Sequence, residues 1–111
     1  MSDPASIRRQ LKIKTGVVNR LIKENQLYRK ECVAQKLKVD KFVADGAEDW
    51  DIKNGRKMLE ESEKMITDSS DRLGKAVADL RGLLTGVRQD PQYAADPEFL
   101  NAEGALEMAS V

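Results

Sequence analysis

The stretch Ile7–Phe42, IRRQLKIKTGVVNRLIKENQLYRKECVAQKLKVDKF, decides the fold. Read in steps of three and four it gives Ile7, Leu11, Lys14, Val18, Leu21, Asn25, Tyr28, Cys32, Gln35, Val39 and Phe42, and eight of these eleven positions are nonpolar when Tyr and Cys are counted. A 3,4 alternation sustained over about five repeats is a heptad seam, the pattern of a long helix that buries one stripe against another helix. Upstream, Asp3 followed by Pro4 supplies a capping side chain and a first-turn proline, a helix start. Downstream, ADGAED at residues 44–49 breaks the pattern, with Gly46 as the turn and Asp49 as the expected cap of the next helix.

The same spacing resumes at Ile52, Gly55, Leu59, Ser62, Ile66, Ser69, Leu73, Ala76, Leu80, Leu83 and Val87. Folded back on the first helix, the two seams pair with a constant residue sum of 94: Phe42 meets Ile52, Val39 meets Gly55, Val18 meets Ala76 and Ile7 meets Val87. Polar members also face one another, Asn25 opposite Ser69 and Cys32 opposite Ser62. A polar group in a seam is costly unless partnered, so facing polar pairs fix the register at some expense of stability.

A second break, Gly86 to Pro97, holds two helix-start signals, Asp90-Pro91 and Asp96-Pro97. The last helix is expected from Asp96 onward, with Phe99, Ala102, Leu106 and Ala109 as its apolar stripe and Leu100 alongside. At 1.5 Å per residue it reaches about 20 Å, against about 55 Å for each long helix. The third helix is therefore expected to cover only the end holding Ile7 to Leu21 and Leu73 to Val87, leaving two helices around Lys36 to Met58. The sequence thus predicts an all-α single domain over 1–111: an elongated antiparallel three-helix bundle with two coiled-coil helices, about 4–43 and 50–86, and a short third, about 97–109.

Composition agrees. Only 5% of the 111 residues are aromatic and 34% are charged, a profile of helix bundles and not of sheets. Net charge is zero, yet residues 1–43 carry 11 Lys or Arg against 4 Asp or Glu, a balance of +7, and the remainder carries 8 against 15, a balance of −7. The two parts are expected to pack on each other, with a basic stripe left to face an acidic partner.

Catalysis is hard to assemble from this residue set. With no His and one Cys, the usual zinc and haem ligand sets and any Ser-His or Cys-His nucleophile pair are missing. The glycines within and just after the second helix form no phosphate loop, and Glu60, Glu61 and Glu63 read as a solvated helix face. No enzyme, cofactor or metal site is expected. A lone Cys32, a start without an apolar signal core, no Gly at position 2 and no apolar run near 18 residues lead to the expectation of a soluble cytosolic protein. Nucleic-acid binding is disfavoured by the acidic second helix and zero overall charge.

One block exceeds what a seam requires. LKIKTGVVNRLIKE, Leu11–Glu24, places Thr15 and Gly16 mid-helix, at a cost of about 0.5 and 1 kcal/mol relative to Ala. Val17, Val18, Leu21 and Ile22 are expected in the core, with Gly16 admitting a neighbouring helix. Lys12, Lys14, Thr15, Asn19, Arg20 and Lys23 are expected to form part of a partner-binding surface, unless Lys14 snorkels out of the seam. Trp50, in the first turn of the second helix, is expected to staple the loop, or else to anchor a partner. Tyr28, Met58 and Met65 lie where only two helices share their burial, so part of that surface is expected to stay accessible.

That block, followed by Tyr28, Lys30 and Glu31, then Trp50-Asp51-Ile52-Lys53, MLEESEKMI and Arg72-Leu73, resembles the tubulin-folding cofactor A family over about residues 7–84, and in the order and size of the third helix. The resemblance implies a three-helix chaperone that binds β-tubulin during assembly of the α/β heterodimer, without ATP, metal or catalytic site. Beside the resemblance, the residues themselves lead to the expectation of a cytoplasmic, cytoskeleton-associated protein that meets other tubulin-folding cofactors, monomeric through its closed three-helix end unless the two-helix tip pairs with another copy, with Lys12, Lys14, Thr15, Asn19, Arg20, Lys23, Tyr28 and Trp50 as client-contact positions. Two departures stand out: Met65-Ile66-Thr67-Asp68 lacks the proline that often kinks the second helix in this family, and Asp96-Pro97-Glu98-Phe99 starts the third helix late. The rival reading is a structural or adaptor coiled coil unrelated to tubulin, since a bundle alone carries no function.

Overall fold

Two breaks divide the chain. In the computed structural model, which describes residues 3–110, they separate three α-helices: α1, Pro4–Ala44; α2, Asp49–Val87; and α3, Pro97–Ala109. A 3-10 turn, Pro91–Tyr93, lies between α2 and α3, and no strand occurs among the described residues. Each bound falls within a residue of the sequence expectation. α2 is helical straight through Met65–Asp68, where the proline is missing.

Capping explains the breaks. Gly46 sits at φ 68°, and Ala47 N–H donates to Phe42 O at 2.9 Å while Gly46 N–H donates to Val43 O at 3.3 Å. That pair of bonds with a left-handed glycine is a Schellman stop, which needs the freedom only glycine has without strain. Asp49 is not the cap it was expected to be. The carbonyl of Glu48 accepts from Asp51 N–H and Ile52 N–H, so the helix opens one residue earlier and Asp49 joins Asp51 in its acidic first turn, where the helix dipole favours them. Asp90 and Asp96 both cap as read, each accepting the backbone N–H two residues on, from Gln92 at 3.1 Å and from Glu98 at 2.9 Å.

The helices contribute to two compact units. The first takes α1 up to Ile22, α2 from Asp71, and all of α3. Its core brings Leu11, Val18, Leu80 and Leu84 against Tyr93, Phe99, Ala102 and Ala105. Leu84 is fully buried while Leu83, the expected seam member, is only half-buried. The two-helix pattern misplaces this residue because a third helix widens the buried stripe: Leu84, Val77 and Ile22, each one position off the seam, join the core or pack against it.

The second unit, Lys23–Ser70, contains the turn and the adjoining parts of α1 and α2. Here the expected register appears. Asn25 Nδ2 donates to Ser69 Oγ at 2.8 Å, and a Cβ on Gly55 would lie 3.1 Å from Val39 Cγ2, both on the sum of 94. Asn25 also donates to Ser70 Oγ and accepts from Arg29 Nε, so its buried amide is satisfied.

Candidate functional site

In the first unit the conspicuous block of α1 divides by burial. Lys12, Asn19 and Arg20 are exposed, as a contact surface requires. Val18 and Leu21 are buried and Val17 and Ile22 half-buried, as expected of the apolar half. Lys14, read as a seam position, as a surface contact or as snorkelling out of the seam, is half-buried and its ammonium reaches the Asp79 carboxylate. Thr15, grouped with the surface residues, is 6% exposed, and its hydroxyl has no hydrogen-bond partner. Elsewhere in the helices Thr67 and Thr85 donate to the carbonyl four residues back, at 3.3 and 2.9 Å. An unpaired buried hydroxyl costs about 1–3 kcal/mol.

Gly16 differs from expectation. A Cβ there would meet nothing within 4 Å, so no helix uses the glycine to come close. It borders an open groove between α1 and α3 instead, together with Lys12, Thr15 and Asn19 on one side and Leu100, Gly104 and Met108 on the other. Gly104 is open in the same way. Leu100 and Met108 are 52% and 61% exposed. These α3 residues were not singled out as a contact surface, although Leu100, Gly104 and Met108 at steps of four mark a stripe distinct from the buried Phe99, Ala102 and Ala105.

α3 is tied to the start of α1 by Arg8. Its Nε donates to Asp96 Oδ2, and its guanidinium lies 5.4 Å from the centroid of the buried Tyr93 ring. That hydrogen bond holds the Asp96 carboxyl below the ordinary aspartate range, against the opposing effect of burial. The Gln92 amide and backbone N–H hold Asp90 low in the same manner.

The second unit offers a different surface. Tyr28, Met58 and Met65 line one groove, rimmed by Glu31, Glu61 and Asp68 with Lys64 as its cation. Tyr28 is half-buried and both methionines are exposed, as the two-helix arrangement predicts. Trp50 is 70% exposed, so it does not staple the turn and stands as a free aromatic face. Lys23 is exposed and borders a shallow patch with Leu27 and Lys30.

Among the described residues no cluster of three or more His, Cys, Asp or Glu side chains is placed to hold a metal ion. Among the described residues no helix is long and apolar enough to cross a membrane.

Comparison with known proteins places the chain. The family model described as Tubulin binding cofactor A matches residues 6–106, so the match runs from the first helix into α3. Tubulin-specific chaperone A of Gallus gallus is 45% identical over 107 residues, covering 96% of this chain and 94% of the relative. The crystal structure of tubulin folding cofactor A from Arabidopsis thaliana superposes with a TM-score of 0.88 at 31% identity, covering 96% and 97% of the two chains. Human tubulin chaperone cofactor A superposes with a TM-score of 0.80 at 37% identity, covering 95% and 99%. With the same three helices and a match over nearly its whole length, the chain belongs to the tubulin binding cofactor A family.

Proposed function

We propose that this protein is a tubulin-folding chaperone that binds β-tubulin and holds it during assembly of the α/β heterodimer. The observation that carries this function is family membership over residues 6–106, and it favours the chaperone over an adaptor coiled coil. The work is binding without reaction, done by a monomer in the cytoplasm that hands its client to other tubulin-folding cofactors.

The exposed residues fit that role in kind. Lys12, Asn19 and Arg20 in the first unit, with Lys14 and Thr15 beside them, present cationic and amide groups on a well-packed support. Such groups give orientation and on-rate to an acidic partner. In the second unit Lys23, Tyr28 and Trp50 offer a cation and two aromatic faces, the residue types that anchor protein interfaces.

The test is direct. The purified protein is mixed with dissociating α/β-tubulin and resolved by size-exclusion chromatography. A stoichiometric complex containing β-tubulin and no α-tubulin is expected. Reversing the charges of Lys12, Arg20 and Lys23 weakens that complex while circular dichroism stays unchanged; equal capture by the reversed protein removes these residues from the contact surface. A folded wild-type chain that captures neither subunit refutes the role.

A further inference from the structure

We infer that the outer face of α1 between Lys23 and Lys41 is the seat of one acidic amphipathic helix of the tubulin client, packed lengthwise with its apolar residues on Leu27 and Leu37 and its carboxylates on Lys23, Lys30 and Lys41. This rests on the tubulin-chaperone function proposed above and adds which face holds the client and what chemistry it recognises.

Within the second unit each helix turns one heptad stripe inward and leaves the opposite side to solvent. On α2 the heptad positions farthest from the seam run from Lys53 to Asp68; every one is exposed and none is apolar. The equivalent positions of α1 are just as exposed, yet they carry a second 3,4 alternation: Lys23, Leu27, Lys30, Ala34, Leu37 and Lys41. Gln26, Val33 and Asp40 lie along its flank. Leu27, Val33 and Leu37 are 53%, 61% and 64% exposed. A shortage of partner surface explains why Met58 and Met65, beside the seam, stay partly open. It does not explain apolar side chains on the far side of a helix, where α2 has none. Apolar residues recurring there at helical steps are the pattern of a second packing interface.

The stripe also specifies its occupant. Three lysines against one aspartate make the face cationic, and among the described residues none of these lysines makes an ion pair, so carboxylates from outside complement it. Backbone groups along the middle of α1 are used within the helix, and an extended segment lying here finds nothing to pair its own. A helix brings its hydrogen bonds with it. Lys23 to Lys41 spans about 27 Å, five turns of such a helix. A second copy of this chain fits poorly. Its α1 laid antiparallel sets Leu27 on Leu37 but also Lys23 on Lys41, its α2 has no apolar residue on the outer face, and its α3, at 13 residues, covers only about 20 Å. A lipid surface fits no better, because the lysines stand in line with the leucines instead of flanking them, and sinking the stripe into acyl chains buries ammonium groups.

The experiment uses full-length protein and purified α/β-tubulin under dissociating conditions, with capture quantified by titration. Leu27→Gln/Leu37→Gln and, separately, Lys30→Glu/Lys41→Glu change exposed residues only, so each is expected to melt within about 4 °C of wild type and to capture tubulin at least tenfold more weakly. Lys53→Glu/Lys57→Glu, the same charge change on the outer face of α2, is expected to bind within twofold of wild type. Carbodiimide cross-linking of the wild-type complex is expected to join Lys23 and Lys41 to carboxylates about 18 residues apart in one tubulin segment, the spacing of a helix. Carboxylates about 8 residues apart mark an extended segment and overturn the helix. Capture within twofold of wild type by both stripe variants overturns the seat and leaves the chaperone function standing. If those variants instead lose a wild-type affinity for phosphatidylserine vesicles, or a wild-type self-association in sedimentation, while capture is unchanged, the stripe passes to a lipid surface or to a second copy and the inference is overturned. A folded wild-type chain that captures no tubulin overturns both.

Discussion

Between Lys23 and Ser70 two helices share their burial; in the rest of the described chain three do, and the same kinds of residue serve different ends in the two settings. The three-helix unit buries leucines completely, Leu11, Leu80 and Leu84 among them. In the two-helix unit Val39 is the one large hydrophobic residue buried, and Asn25, Gly55 and Ser69 are buried with it. Leu27, Val33, Leu37, Trp50, Met58 and Met65 all remain exposed there. Two helices offer each other one stripe apiece, too little to sequester every apolar side chain, so specificity falls to polar pairing and a single close contact. A third helix turns the same seam into a core.

The contrast has a direct energetic test. Leu84→Ala removes a fully buried side chain from the three-helix core and is expected to cost about 2–5 kcal/mol in urea unfolding. Leu59→Ala, at a half-buried seam position of the other unit, is expected to cost less than half as much; equal losses would mean the two settings do not differ in packing. The glycines sharpen the comparison by sign. Gly55→Leu must displace Val39, whose Cγ2 would lie 3.1 Å from the new Cβ, and is expected to destabilise by about 1–3 kcal/mol. Gly74→Ala in the three-helix unit meets nothing and is expected to stabilise by roughly 0.5–1 kcal/mol through helix propensity. Thermal melts of the two single variants read both, and a shift of the same sign in each would remove the close contact from the account.

The smallest effect concerns the tie between α1 and α3. Because Arg8 holds the Asp96 carboxyl low, the folded state binds fewer protons there than the unfolded chain. The stabilisation is present above the ordinary aspartate value of about 3.9 and is lost as pH falls through the lower folded value. The melting-temperature gap between wild type and Asp96→Asn is therefore expected to stay constant from about pH 8 to 5 and to close below about pH 4. A gap that persists unchanged into acid would show that the charge of Asp96 contributes nothing to the tie, since Asn at the same position can still cap the helix.

Much of this was legible in the residues. The Asp-Pro pairs, Gly46 and the heptad steps set all three helices to within a residue, and facing polar pairs gave the register that Asn25 and Ser69 realise. What stayed hidden follows from one simplification. A two-helix seam assigns burial to a single stripe, so it chose Leu83 over Leu84 and Lys14 over Thr15, and it gave no role to Tyr93 or Ala105, whose burial depends on where the chain after α2 lies. Of the surface residues, Lys12, Asn19, Arg20 and Lys23 were recognisable as charges and amides in excess of the seam. Leu100 and Met108 were not, because an apolar residue on a short helix looks the same whether it faces inward or out.

The discontinuity of the three-helix unit also bears on how the chain finds its fold. Asn25 and Ser69 are 44 residues apart in sequence, whereas Arg8 and Asp96 are 88 apart. Doubling a loop adds only about 0.6 kcal/mol of closure entropy, so the long-range tie is cheap once everything is in place. Time separates the two. Lys23–Ser70 is contiguous and can zip outward from its turn at Gly46 as soon as it exists, but the larger core waits for α3, the last helix to be synthesised. Pulse-labelled hydrogen exchange during refolding reads this order directly, with Asn25 and its neighbours protected before Leu80 and Phe99; the reverse order would place the nucleus at the chain ends. The unit with the fewer buried residues is thus the one expected to start the fold.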